Sequence, residues 1–505
     1  MGHRNSEIVA EARAAHRAGN LVVAEAKFRA ALDLAPDDVD SRINLGDILQ
    51  AGGRLDGAME QYQLAIVANP TRARAHYNLG VLLKSIGRQE DAAVCYGKAI
   101  EAEPRLYQAW SNLGEIKHDQ GAWQDADALY RRALDINADD PETLNNYAVL
   151  LRDRGRFDAA VEMFERALVA APGAAEIHRN KAMLHLLQGD YGRGWQEYEW
   201  RWHCRDMAGL RRPFHWPIWD GAAPGSAGAL LVWGEQGLGD EILYASMAPN
   251  LSRIGCGIVW EADPRLVTLF ARSFSHVRVI PRTSPPSIEI SESIVAQIPS
   301  ASLGRFYRLA ADCFPRRTGY LRPDAIRTAS LRARLASASR KVVVGISWES
   351  RNAVIGAHKS IPLERWMGVL SVPDVVLVDL QYGDTSMARA AAADNGRSLI
   401  HLDDIDLTAD LDAVAALIAA CDVVVTVSNT VAHLASALGV PTLVLVPASA
   451  GRLWYWGSDG ARSPWYDSTR IIRPIPGSDL QSTLDVAAIE LRLRSADLLG
   501  REGAP

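Results

Sequence analysis

Ala229-Leu-Leu-Val-Trp-Gly-Glu-Gln-Gly-Leu-Gly-Asp-Glu-Ile-Leu-Tyr244 decides how the chain is read. Its five apolar residues, Ala229 to Trp233, predict a buried strand. Gly234, Gly237 and Gly239 predict a tight turn, and Asp240 opens a helix. A strand, a glycine turn and a helix N-terminus in that order aim backbone N–H groups and the helix dipole at a ligand. A repetitive helical part precedes this stretch, and an alternating strand–helix part follows it.

A chain of 505 residues exceeds what one core holds, so several domains are expected. With 48% hydrophobic and 23% charged residues it has the composition of a soluble globular protein. A net charge of −6 gives no sign of a nucleic-acid partner. Cys95, Cys204, Cys256, Cys313 and Cys421 lie far apart without metal-ligand spacing, which fits free thiols in a reducing cytoplasm. No apolar run approaches the roughly 18 residues that span a bilayer, and no secretory apolar region opens the chain. The expectation is a cytoplasmic protein with no membrane span.

Ahead of the glycine turn, the sequence repeats every 34 residues. Pro36, Pro70, Pro104 and Pro172 fall in register, with Ala138 in the remaining slot. Gly19, Gly53, Gly87, Gly121, Gly155 and Gly189 mark a turn between two helices. Ala24, Ala58, Ala92, Ala126 and Ala160 stand where helices approach closely, and Phe28, Tyr62, Tyr96, Tyr130, Phe164 and Tyr198 supply an aromatic wedge. The pattern resembles the tetratricopeptide repeat, a helix pair that stacks on its neighbours into an all-α superhelix. The alanine and aromatic slots read as packing. Asn44, Asn78, Asn112, Asn146 and Asn180 also recur at one slot, where packing needs no amide. An amide both donates and accepts, so a ladder of them suits an extended peptide backbone of any sequence. The repeats resemble those of the O-GlcNAc transferases, which use such a ladder. Bonding within the stack is the other reading of the same residues.

The last unit runs into Trp195, Trp200, Trp202, Trp216, Trp219 and Trp233, an aromatic density that predicts a packed junction or a carbohydrate-stacking platform. Pro213, Pro217 and residues 222–226 mark a boundary. Residues 257–262 and 277–280 then predict strands, and a second series follows at 341–348, 375–380, 422–427 and 441–446. Continuous Val/Ile/Leu runs alternating with helices indicate parallel sheets covered on both faces. Two series in tandem predict two Rossmann-like domains facing a cleft, with ligand beyond the carboxyl ends of the strands. Those ends carry Ser347 to Ser350, Lys359 and Ser360, Gln381, and Ser428-Asn-Thr430 with His433. A lysine, hydroxyls and a helix N-terminus on one rim suit a phosphate.

Gly-Glu-Gln-Gly-Leu-Gly-Asp-Glu-Ile (234–242), Lys-Ser-Ile-Pro-Leu (359–363), Ser-Asn-Thr-Val-Ala-His (428–433) and Ser-Pro-Trp-Tyr (463–466) occur in order. Together they resemble the heptosyltransferase-like GT-B glycosyltransferases that bacteria fuse behind tetratricopeptide repeats, some of which modify flagellin. The resemblance implies a catalytic base at Asp240, with Glu235 as the alternative. It implies donor contacts at Lys359 and His433, to which the strand-end reading adds Ser360, Gln381, Ser428, Asn429 and Thr430. The chain departs from the heptosyltransferases at Ser428-Asn429-Thr430, where they carry Asp-Thr-Gly, which speaks against a heptose donor.

The implied organisation is about six repeats in 5–208, the last degenerate, and a junction at 209–228. An acceptor-side domain at 229–335, a nucleotide-sugar domain at 336–480 and a C-terminal helix and tail at 481–505 complete it. The implied function is metal-independent, inverting transfer of a sugar from a nucleotide-sugar to Ser or Thr of a protein acceptor, with flagellin favoured. Asp240 would take the hydroxyl proton, kept ionised by the helix N-terminus. Lys359, His433 and the helix at Thr430 would stabilise the leaving phosphate. No cofactor is implied beyond the nucleotide-sugar co-substrate, and no metal; Asp403, Asp404 and Asp406 read as a loop. The alternatives are a transferase acting on a glycan or lipopolysaccharide, and a non-enzymatic adaptor.

Overall fold

A computed structural model describes residues 2–222, 225, 228–286, 294–336, 341–447, 451–474 and 480–501. Part of the expected boundary at 222–226 and the tail at 502–505 lie outside the described residues. The chain forms two compact units, Met1–Ala174 and Ala175–Pro505.

The first unit is built from helix pairs: α1 (Gly2–Arg17) with α2 (Leu21–Leu34), α3 (Val39–Ala51) with α4 (Leu55–Ala68), and α5 (Ala73–Ser85) with α6 (Gln89–Ala102). Next come α7 (Tyr107–Asp119) with α8 (Trp123–Ile136), and α9 (Pro141–Asp153) with α10 (Phe157–Ala170). Gly19, Gly53, Gly87, Gly121 and Gly155 end the odd helices with φ between +74° and +81°, a region open to glycine. The wedge explains a second set of glycines. A Cβ on Gly46 would lie 2.5 Å from the Tyr62 ring, and one on Gly80 would lie 2.7 Å from Tyr96. Each aromatic ring therefore occupies the volume that its partner helix vacates.

The second unit opens with α11 (Ala175–Gln188), α12 (Tyr191–Tyr198) and a 3₁₀ turn, Glu199–His203. Two parallel sheets follow. The first has the order β3-β2-β1-β4, with β1 Ala229–Trp233, β2 Gly257–Ala262, β3 Arg278–Pro281 and β4 Ile294–Pro299. The second runs β10-β9-β8-β5-β6-β7. Its strands are β5 Val342–Ser347, β6 Val375–Asp379, β7 Leu399–Ile400, β8 Val423–Val427, β9 Thr442–Leu445 and β10 Thr469–Ile472. Counted from β5, that is the doubly wound order 3-2-1-4-5-6, whose ligand crevice falls between the first and fourth strands, here β5 and β8. Val344, Ile346, Val425, Val427 and Leu443 form its core with Trp366 and with Leu484 and Leu491 of the C-terminal helix Leu480–Arg501.

Strands β4, β7 and β10 go beyond the sequence reading. All three lie at sheet edges, where one flank faces no further strand and the apolar run is short or broken by a polar residue. Of the junction tryptophans, Trp195, Trp219 and Trp233 are buried in packing. Trp195 is fully buried against Tyr198, Tyr244, Trp454 and Trp465, and its indole N–H donates to Arg308 O at 2.9 Å. Among the described residues no helix is long and apolar enough to cross a membrane.

Two glycines on adjacent helices separate wedge packing from helix propensity. Gly97→Ala, where a Cβ meets open space, should stabilise the protein by about 0.5–1 kcal/mol. Gly80→Ala gains the same propensity yet should destabilise, because overpacking against the buried Tyr96 ring costs about 1–3 kcal/mol. Urea denaturation of the two variants checks this; equal shifts would contradict it.

Candidate functional site

The carboxyl ends of both sheets open onto a cleft of about 660 Å³ within the second unit. On one side lies the turn 234–237 after β1, with the helix Leu238–Ala245 that begins behind it. On the other lie the loop after β5, its short helix Gly356–Lys359 and the helix Thr430–Ala437 after β8. Asp240, Lys359, Thr430 and His433 therefore line one cavity, though they come from segments nearly 200 residues apart.

Asp240 stands in the first helical turn, where its Oδ2 accepts the Gly237 N–H at 3.2 Å. The helix N-terminus alone would keep its pKa low. Burial wins: desolvation, with help from the Glu235 charge, lifts it to about 6 against the opposing pull of the Gly237 bond and Lys359. The carboxylate is thus a better base than capping geometry implies, and it is still mostly ionised at neutral pH.

Lys359 is 7% exposed, and among the described residues no carboxylate comes within 4.0 Å of its ammonium. Desolvation lowers its pKa, which Asp240 partly offsets. An ammonium held dry without a close counter-ion favours an incoming anion. Arg265 and Arg351, which the sequence reading passed over, line the same cleft.

His433 also lines the cleft. It is fully enclosed, packed near-parallel to Trp456 and edge-on to Tyr455, with Nδ1 2.9 Å from the Tyr466 hydroxyl. Desolvation, then Lys359, depress its pKa to about 3. It is therefore a neutral imidazole, not a cation facing a phosphate. A Cβ on Gly239 would lie 2.9 Å from His433 Cδ2, so the third glycine of the turn permits this contact between the two sides of the cleft. The Tyr466 contact also gives the 463–466 motif a physical role.

Of the other expected donor contacts, Ser428 and Asn429 line the cleft with Thr430, whereas Gln381 and Ser360 do not. Gln381 is fully buried and its Oε1 accepts from Ser347 Oγ, Trp348 N and Glu349 N at 2.8–3.0 Å. Asn429 caps its helix through Ala432 N and donates to Ser347 Oγ at 2.7 Å and Glu349 O at 3.0 Å. Ser428 Oγ accepts from Trp456 Nε1 at 2.8 Å, and Ser360 Oγ bridges Ser350 N and Gly356 O. These residues shape the β5–β8 crevice, and their polar atoms are engaged. Asp404 pairs with Arg334, and Asp406 caps Thr408 and Ala409.

Glu235 is not placed as a base. Its carboxylate takes a two-pronged bond from Arg201 Nε and Nη2, both at 2.9 Å, and accepts the Ala301 N–H at 3.1 Å. Both side chains are buried, and Glu235 is absent from the cleft lining. Tyr198, read as a packing wedge, does reach the lining, and its hydroxyl accepts Gln236 Nε2 at 2.9 Å. Gly234 leaves room for the Glu241 carboxylate, whose pKa burial raises to about 7.

The recurring asparagines occupy α3, α5, α7 and α9 of the first unit, and Asn180 lies on α11 of the second. Asn44 accepts from Arg74, Asn78 donates to Asp47, Asn112 donates to Tyr77 and Tyr96, and Asn146 accepts from Asn145. Asn78, Asn112 and Asn146 remain half-buried, each with part of its amide on a bond inside the stack.

Two substitutions should move stability in opposite directions. Glu235→Ala removes the two-pronged partner of buried Arg201, leaving it Glu199 alone, and should destabilise the fold. Asp240 has a folded pKa above its unfolded value of 3.8, so it costs the fold stability as pH rises from about 4 to about 6, and that cost is complete and level above about 6. Asp240→Asn should therefore be more stable than wild type at pH 7–8, by about 1–3 kcal/mol. The gap should close as pH falls toward 4. Denaturation at three pH values checks the pair, and a destabilised Asp240→Asn at pH 8 would contradict the desolvation argument.

Residues 105–172 match a family model described as Tetratricopeptide repeat, and residues 46–87 match one described as TPR repeat. Further tetratricopeptide repeat models match residues 73–106 and 148–198, so the chain carries tetratricopeptide repeats. Among curated proteins the chain is similar to Protein FlbA of Caulobacter vibrioides, with 33% identity over 323 residues. That match covers 59% of this chain and 53% of the relative; the chain thus spans about half the relative's length. A match of 323 residues exceeds the 174 of the first unit, so the likeness extends into the second. Among solved structures, a tetratricopeptide repeat protein from Parabacteroides merdae is 21% identical, covering 39% of this chain and 79% of its own, with a TM-score of 0.35. PilF of Pseudomonas aeruginosa is 18% identical, covering 41% and 93%, with a TM-score of 0.37. TTC0263 of Thermus thermophilus is 22% identical, covering 36% and 100%, with a TM-score of 0.31.

Proposed function

We propose that the chain is a glycosyltransferase of GT-B architecture that moves a sugar from a nucleotide-sugar to Ser or Thr of a protein, flagellin being the favoured acceptor. The observation that carries this reading is the pairing across one cleft of a carboxylate with a pKa near 6 and a buried lysine lacking a close counter-ion. Sugar transfer needs both: a base for the acceptor hydroxyl and positive potential at the departing phosphate. In a single displacement the acceptor oxygen attacks the anomeric carbon as the bond to the phosphate oxygen breaks. The proton passes to Asp240, and the nucleotide leaves with the electron pair beside Lys359. Arg351 adds positive potential at the cleft wall, while Arg265 there is paired with Asp263 through bonds of 2.9 and 3.0 Å. Neutral His433 contributes shape and a hydrogen bond, not charge.

The repeats supply the acceptor side of the proposal. Tetratricopeptide arrays typically engage protein partners. The half-buried amides of Asn78, Asn112 and Asn146 leave donor and acceptor capacity for a peptide backbone.

The test is transfer to a co-expressed flagellin, read by intact mass, and then kinetics with the donor that supports it. Asp240→Asn should lower kcat by ~10²–10⁴-fold with little change in donor affinity. A base must be unprotonated, so the wild-type rate should fall about tenfold per pH unit below about 6 and be level above it. Full turnover in Asp240→Asn would remove Asp240 from the mechanism. Changing Asn78, Asn112 and Asn146 together to Ala should weaken acceptor binding by roughly a hundredfold, since each lost bond is worth about 0.5–1.5 kcal/mol. A threefold variant that melts earlier but holds its acceptor would make the ladder structural.

A further inference from the structure

We propose that Arg201 and Tyr198, at the end of the last helix pair, are positioning residues that hold the turn 234–237 and thereby aim Asp240 into the cleft. The inference rests on the base role proposed above for Asp240. Between the end of β1 at Trp233 and the helix beginning at Leu238, four residues reverse the chain. One of them, Gln236, has φ +62°, a left-handed conformation that residues with a side chain seldom adopt. Such backbone persists only where its surroundings over-determine it.

The surroundings are specific. Arg201 grips Glu235 through two bonds of 2.9 Å, and its Nη2 also donates to Ser302 Oγ at 2.9 Å. The guanidinium is held between the Tyr198 and Trp202 rings, 4.7 and 4.6 Å from their centroids. The Tyr198 hydroxyl accepts Gln236 Nε2 at 2.9 Å. The next residue, Gly237, has no side chain to anchor it and presents its N–H to Asp240 Oδ2. The geometry thus runs from Arg201 and Tyr198 through Glu235 and Gln236 to the reactive carboxylate. Without the grip, Gln236 is free to relax toward negative φ and take Gly237 and Asp240 with it.

The groups facing Asp240 come from several elements: Glu235 on its own turn, Lys359 beyond β5, and the neutral ring of His433 against Gly239. The hydroxyls of Tyr198, Tyr244, Tyr455 and Tyr466 complete its surroundings. All four tyrosines have pKa values raised by burial, so Lys359 and Glu235 are the charged neighbours at neutral pH.

The experiment is a pH-resolved double-mutant cycle on the full chain. The substitution Asp240→Asn is made in three backgrounds: wild type, Arg201→Lys and Tyr198→Phe. Lysine keeps the charge but cannot reproduce the two-pronged grip, and Tyr198→Phe removes one hydroxyl. In the wild-type background the stability change caused by Asp240→Asn should vary with pH up to a break near 6. In both grip variants the break should move down toward the ordinary aspartate value of about 4. The acid limb of kcat should move with it, and kcat should fall on the order of 100-fold. Donor KM should change by less than about threefold. A break that stays near 6 in both backgrounds, with overall stability simply lower, would overturn the proposal and leave the pair purely structural. If Arg201→Lys does not fold, Tyr198→Phe alone decides. Denaturation needs no substrate, so a missing transfer activity would end the transferase reading while the break still reports on positioning.

Discussion

A guanidinium at 1% exposure needs a carboxylate beside it, and Arg201 finds Glu235 across 34 residues of sequence. Arg201 also pairs with Glu199 at 3.0 Å, whereas among the described residues Glu235 has Arg201 as its cation, and unpaired it would cost several kcal/mol to bury. The pair therefore fixes three pieces of chain at once: the 3₁₀ turn Glu199–His203, the turn after β1, and the start of the 3₁₀ turn Ser300–Leu303 that follows β4. The first sheet's carboxyl edge, which forms one wall of the cleft, inherits its shape from that contact.

The other wall is set by close backbone approach. Tyr320 and Leu321 both donate their N–H groups to Ala437 O, at 2.8 and 3.0 Å, and the Tyr320 hydroxyl donates to Ile242 O at 2.7 Å. Ile242 belongs to the helix after β1 and Ala437 to the helix after β8, so Tyr320 ties the two sheets' helices together. A Cβ on Gly319 would sit 2.8 Å from Gly439 N, which keeps that crossing glycine-lined. Arg272 adds a two-pronged bond to Asp412 at 2.7 Å. A cleft braced in this way can keep a carboxylate and an ammonium both poorly solvated and apart, a costly arrangement that is useful to a ligand with an anionic group. The raised Asp240 and lowered Lys359 pKa values are two consequences of that one enclosure.

Much of this was legible in the sequence because it is periodic or local. A 34-residue repeat announces helix pairs, and uninterrupted Val/Ile/Leu runs announce the central parallel strands. Short edge strands such as Thr469–Ile472, with Arg470 exposed, carry no such signal. Position in the site was legible too: residues at the carboxyl ends of β1, β5 and β8 do converge. Side-chain direction was not. Gln381 and Asn429 follow strands just as Lys359 and Thr430 do, yet their amides turn inward to hold the crevice together. The fate of Glu235 depended on Arg201, and no local pattern links the two. The low pKa of His433 depended on Trp456, Tyr455 and Tyr466, which the chain brings together only in three dimensions. Tyr198 fell in a repeat slot whose other aromatics pack and bond within the helix stack, and its place on the cleft wall distinguishes it.

The central claim is that this cleft holds a nucleotide-sugar by its phosphate at Lys359. Calorimetric titration of the full chain with CMP-, UDP-, ADP- and GDP-sugars, alongside Lys359→Ala, tests it most directly. The account predicts that one donor class binds wild type and loses roughly tenfold or more in affinity in the variant, the worth of a charge-assisted contact of about 1.5–3 kcal/mol. Binding that is indifferent to Lys359, or no binding of any of the four to wild type, would contradict it.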